Sequence, residues 1–379
     1  MSRSTRMLVL MVALAVIGTT TPSPGAPLET RNVILITLDG VRTQEIFGGM
    51  DPLIVNGGEE HSGIYDLERA LDRYWRPTVR ARREALMPFF WKELAPQGIV
   101  LGNELAGSRM TPVNPHLFSA PGYAEILTGR YQPEVTSNEL KRYDHATLLD
   151  YVQQALSLDF TEVAMIGSWE GFKYLASNRE DAFFTNGGYE TVPVEYSTPR
   201  MDFLGKLQHS VMALWEVGRS DAISTELALE YLRQHRPRLL YLALGEGDDW
   251  THARRYDRYL DYLHVADSFL SEIWTTLESL DFYRGKTTIV MTTDHGRGQT
   301  PEDWIEHEEG IAGSEKIWAA FIGPDTPDLG IASETPTVHQ ADIAATVLAF
   351  FGLAGEEFDP EAGPAIELAL TAGTERGTP

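Results

Sequence analysis

The stretch TTDHGRG, residues 292–298, follows the apolar run TIVM and sets an adjacent Asp294 and His295 before a glycine. A carboxylate and an imidazole side by side make a poor core element and a good pair of metal ligands. Asp39 closes NVILITLDG, Asp248 closes RLLYLALGEGDD with His252 four residues on, and His307 follows in WIEHEEGIAGSEKIW. The chain has only ten histidines, and three of them fall beside aspartates or at the ends of apolar runs. Each residue alone has an ordinary reading as a turn, a helix cap or a surface charge. Their convergence on one edge does not.

A ligand set of carboxylates and imidazoles without sulfur suits zinc first, then manganese or iron, with magnesium or calcium as substitutes. The chain contains no cysteine. Disulfides, thiolate metal sites and a cysteine nucleophile are therefore excluded together. A nucleophile is offered instead by NPHLFSAPGYAEILTGRYQ, where Ser119 precedes Pro121 in what reads as the first turn of a helix. Proline suits that turn, and its free N–H groups attract an anion. Ser119 is either a nucleophile activated by a nearby cation or a helix cap.

The elements that must hold these groups read as a parallel sheet. Nearly continuous apolar runs at 32–40, 161–169, 238–249, 287–296 and 316–324 alternate with helical patterns at 146–157, 224–235, 262–280 and 339–353. This predicts an α/β fold, a mostly parallel sheet with helices on both faces, whose ligands gather at the carboxyl ends of the strands. Residues 50–100 and 178–220 break the rhythm and read as insertions, one or both forming a cap. A single such domain is expected over 27–379.

Residues 1–26 carry Arg3 and Arg6, an apolar run from Met7 to Ile17 and then small residues, the layout of a secretory signal peptide. A periplasmic or secreted protein without a stable membrane anchor is expected. Acids outnumber Lys and Arg by 55 to 31, a formal charge of −24, which argues against nucleic acid polymers as partners. A small-molecule substrate is the expectation.

In order along the chain, Asp39 in LITLDGVR, Ser119 in SAPGYAEILTG, then DDWTH, TDHG and a later histidine resemble the alkaline phosphatase superfamily, in particular its bacterial nucleotide pyrophosphatase/phosphodiesterase-like and phosphoglyceromutase-like branches. The resemblance runs through nearly the whole chain after residue 26. It implies two divalent metals, one on Asp248, His252 and His307, the other on Asp39, Asp294, His295 and the Ser119 oxygen. It implies a metal-dependent phosphoric ester hydrolase working through a phosphoseryl intermediate, with Asn138 in VTSNELKR as the nearest candidate for an oxyanion anchor.

Sulfatases of this superfamily resemble S-x-P-x-R at the nucleophile, whereas Tyr123 stands at the last position here. The loop GSWEGFKYL offers Trp169 and Phe172 as aromatic surface and Lys173 as a cation; Lys141, Arg142 and Arg297 are further cations that read as surface charges. The balance favours diesters over monoesters. Alternatives are a mutase-like phosphoryl transfer, a sulfatase and a metal-stabilised protein without turnover. His339 reads as structural at the start of a helix, and His116 is unassigned.

Overall fold

The structure, a computed structural model, describes residues 27–371; the signal-peptide reading of 1–26 lies outside them. Strand β1 (Asn32–Leu38) is a run of apolar and β-branched residues, and all seven are buried. That is how a strand covered on both faces reads. The further strands are β2 (Gly98–Leu101), β3 (Met110–Thr111), β4 (Val163–Gly167), β5 (Phe184–Gly187), β6 (Leu239–Leu244), β7 (Thr287–Thr292), β8 (Ala319–Ile322), β9 (Gly330–Ile331) and β10 (Val338–His339).

Eight of them form one sheet in the order β5-β4-β6-β1-β7-β8-β2-β9, and β10 pairs with β3 alone. The pairs from β5 to β7 are parallel. β8 runs antiparallel to both of its neighbours, so the predicted strand at 316–324 is the reversed one.

Alternate residues of β1 feed two cores. Ile34, Ile36 and Leu38 meet the helices Asp221–Gln234 and Tyr256–Ser279, together with helical residues between 67 and 94. Val33 and Leu35 meet the helices Ser119–Thr128, Leu148–Ala155 and Asp342–Phe350. Each fully buried Ile or Leu contributes about 1.5–3 kcal/mol, so this alternation locks the strand register.

Register is what aligns the site. Leu38 pairs with Leu244 and Thr37 with Thr292, and the Asp39 N–H continues to the Leu244 carbonyl at 2.9 Å. The chain therefore leaves the sheet at the same level after β1, β6 and β7, and places Asp39, Gly245 and Thr293 side by side. Two boundaries differ from expectation. β6 stops at Leu244, and Asp248 and His252 lie on the helix Glu246–His252 rather than on a strand end. The cause is local: the Asp221 carboxylate accepts the N–H groups of Gly245 at 3.0 Å and Glu246 at 2.9 Å, which starts the helix at once. His339 lies in β10, three residues ahead of the helix it was expected to open, and its N–H is held by Asp342 at 2.8 Å.

Candidate metal centre and nucleophile

Five side chains, from the ends of β1 and β7, the helix Glu246–His252 and the loop that carries His307, converge on the carboxyl edge. Asp39, Asp294 and His295 present ligand atoms within 4.8 Å of one another, and so do Asp248, His295 and His307. His295 Nε2 is central, 3.5 Å from Asp39 Oδ1, 3.4 Å from Asp294 Oδ2 and 3.9 Å from Asp248 Oδ1. His252 joins through its neighbours: its Nε2 lies 3.0 Å from His307 Nε2 and 3.3 Å from Asp248 Oδ2. The expected partition into two ligand sets thus meets at His295, which reaches both.

The unpaired atoms carry the chemical argument. Asp39 Oδ1, Asp248 Oδ1, Asp294 Oδ2 and His295 Nε2 are buried without a hydrogen-bond partner. Leaving each such atom unpaired costs about 1–3 kcal/mol; Asp39, Asp294 and His295 gather theirs in one group that a bound cation would satisfy, while Asp248 Oδ1 lies against the Arg297 guanidinium. The other atoms of the same groups are fixed. Gly40 N–H donates to Asp294 Oδ1 at 3.0 Å, and His295 Nδ1 donates to the Gly296 carbonyl at 2.9 Å, leaving Nε2 as the ligand atom. His307 Nδ1 donates to the Leu117 carbonyl at 3.3 Å, so its Nε2 is also aimed inward. The donor set fits divalent metal, the cofactor used in the alkaline phosphatase superfamily.

Electrostatics agree. Burial and the neighbouring Asp39 push the Asp294 carboxyl up to about 8. Burial disfavours a charged His295, yet Asp294 and Asp39 outweigh it and hold the imidazole at about 9. Burial and the adjacent His295 lower both His252 and His307, which keeps them as neutral ligands. Without metal the site retains protons that a cation would displace.

Arg297 corrects its reading as a surface charge. It is fully buried, donates from Nε to the Gly40 carbonyl and from Nη1 to the Ile305 carbonyl, and presses on Asp248. Gly40 makes room for it: φ is +60°, and a Cβ there would lie 2.8 Å from Arg297 Nε.

Ser119 opens a helix whose ten residues are all buried. Its hydroxyl is not the cap, because the N-cap position belongs to Phe118. The approach is shaped by Asn114, whose side-chain oxygen accepts the N–H groups of His116 and Leu117, and by Leu117 itself at φ 55°. A leucine there is strained, and Glu308, directly after His307, also has positive φ. Gly122 lets the helix touch β7's tip: a Cβ would meet the Asp294 carbonyl oxygen at 2.4 Å. Glu125 ties the loop before Ser119 to Ala341 through four N–H groups. Asn138, an exposed residue, accepts the Ala120 N–H at 2.9 Å and so stands at the same helix start. Tyr123 is buried with its hydroxyl turned to Asp39.

The remaining cations and aromatics are committed in various ways. Lys173 pairs with Glu190 at 2.7 Å and Glu170 at 3.4 Å. Arg142 donates to the carbonyls of Lys173 and Ser177. Lys141 is exposed and lies over the Tyr143 ring. Phe172 is buried and packs edge-on against Tyr123 and Trp169, which leaves Trp169 as the accessible ring of that loop. Sequence reasoning missed Asp221, Asp249 and Trp215. Burial and Asp221 push Asp249 up to about 8, and the Trp215 side chain bonds to it. His116 sits 3.3 Å from the Tyr131 hydroxyl, away from the ligand groups.

Comparison with known proteins bears on the family and the fold. A family model described as sulfatase matches residues 31–353. Among solved structures, the phosphonate monoester hydrolase SpPMH from Silicibacter pomeroyi is similar with a TM-score of 0.56 and 13% identity, over 92% of this chain and 78% of that one. A putative sulfatase from Bacteroides thetaiotaomicron VPI-5482 gives 0.56 and 12%, over 92% and 76%. The lipoteichoic acid synthase LtaP from Listeria monocytogenes gives 0.51 and 12%, over 90% and 75%. No curated protein sequence matches. The chain belongs to the sulfatase family, within the alkaline phosphatase superfamily, and is an enzyme that hydrolyses sulfate or phosphate esters.

Proposed function

We propose that the chain hydrolyses phosphate esters through Ser119, with diesters favoured over monoesters. The observation that carries this is the nucleophile's surroundings. Ser119 heads a buried helix that touches Asp294, and Tyr123 stands where the sulfatase pattern has arginine. Divalent metal held by Asp39, Asp248, His252, Asp294, His295 and His307 supplies the positive charge that makes a serine hydroxyl nucleophilic and neutralises phosphoryl oxygens. Ser119 Oγ gives up its hydroxyl proton to solvent and forms a bond to phosphorus while the ester P–O bond breaks with its electron pair on the leaving oxygen, which takes a proton from solvent. Water then cleaves the phosphoseryl bond and restores the hydroxyl. The Asn138 carboxamide, anchored through its oxygen, keeps its NH2 group for an anionic oxygen beside Ala120.

The diester preference rests on charge. A monoester dianion brings one more charge than a diester, and Lys173 and Arg142 are engaged elsewhere while Arg297 is buried behind Asp248. Trp169 and Trp215 offer aromatic surface for the second substituent. The family model favours a second reading, sulfate ester hydrolysis at the same centre. Parallel assays of nitrophenyl diester, monoester and sulfate decide. The expected order of kcat/KM is diester, monoester, sulfate, with Trp169→Ala eroding the diester rate most. A sulfate rate above both overturns the reading. The signal-peptide-like pattern of residues 1–26 supports a periplasmic or secreted reaction; among the described residues no helix is long and apolar enough to cross a membrane.

A further inference from the structure

A cavity of about 520 Å³ lies on the same sheet edge as the metal centre, yet none of the ligand residues lines it. Its walls come from the helix Thr43–Gly48 after β1, the helix Val79–Leu86 and the turn Gly102–Ala106 after β2. Arg42, paired with the lining residue Asp51, also donates to the Gly298 carbonyl at 3.1 Å. The volume falls within the range of small-molecule sites, about 300–1,000 Å³.

The lining is apolar and carries one uncommitted cation. Phe47 and Met50 form the buried wall, while Leu105, Leu53 and Val79 stand at the rim with exposures of 99%, 59% and 50%. Three aliphatic side chains left in water around one concavity are a surface awaiting an apolar partner. Among the polar groups, Asp51 is paired with Arg42, and Lys316 is paired with Glu104 at 2.8 Å and Gln299 at 2.9 Å. Arg82 donates to the carbonyls of Gly48 and Arg76. Arg83 differs: its Nε is buried without an acceptor, its guanidinium rests 4.2 Å over the Trp91 ring, and it makes no ion pair among the described residues.

We propose that this cavity is a second ligand site, separate from the ester-cleaving centre, which takes a small amphiphilic anion. The hydrocarbon body lies against Phe47, Met50, Val79 and Leu105, and the anionic head lies at the Arg83 guanidinium. An anion bound there pairs the one cation of the lining that, among the described residues, has neither an ion pair nor a carbonyl acceptor.

The test is calorimetric titration of the full metal-loaded chain with decanoate, decyltrimethylammonium and decanol. Decanoate is expected to bind saturably and more tightly than the other two. Arg83→Gln should weaken decanoate about ten- to a hundredfold and leave decanol unchanged. Gly48→Leu is the blocking variant, because a Cβ at Gly48 meets nothing within 4 Å and its side chain would enter the cavity without clash. It should abolish binding of all three while hydrolysis of the nitrophenyl esters stays as in the parent. Absence of saturable decanoate binding, equal affinity for decyltrimethylammonium, or indifference to Gly48→Leu overturns the proposal. Competition between decanoate and the ester that Gly48→Leu relieves would overturn its separateness from the active centre.

Discussion

Two buried charged clusters lie three residues apart along the chain, and they are built on opposite principles. Arg42 is fully buried and complete: it donates to Glu45 at 3.0 Å, Asp51 at 2.7 Å and the Gly298 carbonyl, while Tyr256 donates to Glu45 at 2.8 Å and accepts the Asp51 N–H at 2.6 Å. Around Asp39 the reverse holds, with carboxylates from three places and unpaired atoms in two groups that share His295. The first cluster satisfies itself and fixes the entry of the Thr43–Gly48 helix. The second is closed only by something bound. A buried charge network that is complete is scaffolding, and one that is incomplete without bound cations is a site.

The largest expected effect separates the reaction from the metal. Ser119→Ala should lower turnover of a nitrophenyl phosphate ester by at least about 10³-fold while metal content by elemental analysis stays near the parent value. Near-normal turnover would show that water attacks directly.

Next comes the comparison itself. Arg42→Met leaves Glu45 and Asp51 buried without their cation and should cost about 3–5 kcal/mol in urea unfolding of the metal-free chain. Asp294→Asn should change metal-free stability little at neutral pH, because burial and Asp39 already keep that carboxyl largely protonated, and should abolish one equivalent of bound metal. Equal destabilisation by both variants would erase the distinction.

A third expectation concerns pH. Asp294 is raised to about 8 and His295 to about 9. Both folded-state values lie above the unfolded ones. The stability these protons give the metal-free chain is therefore complete below pH 4 for Asp294 and below pH 6.5 for His295, and is lost as pH climbs through 8 and 9. Metal displaces the same protons, so metal affinity should rise over that window as metal-free stability falls. Proton uptake on metal addition in weak buffer at pH 7 would contradict this.

The smallest effect tests the support of Asp248 and His252. Asp221→Ala removes the acceptor for the Gly245 and Glu246 N–H groups and should cost about 1 kcal/mol. It should also loosen the metal on the Asp248 side without changing the Asp39 side, as read by stepwise metal titration.

Much of the centre was legible before any coordinates. Asp39, Asp294 and His295 follow runs whose composition alone reads as parallel strands, and ligands gather at the carboxyl ends of such sheets. The helix after Ser119 was marked by Pro121 and closed by Gly129. Asp248 and His252 were legible as residues but not as geometry. Their helix begins where it does because Asp221, far earlier in the chain, supplies the acceptor.

By itself the sequence determined the alternation of buried strands and helices, the absence of thiol chemistry and the residue types able to bind a cation, since these follow from local pattern and composition. Only the tertiary structure decided which polar atoms lack partners. It buried Arg297 against Asp248, committed Lys173 to Glu190, joined Asn138 to Ala120 and left Arg83 alone in a cavity between two helices and a turn. Pairing across long separations depends on how helices close over the sheet. No spacing along the chain records it.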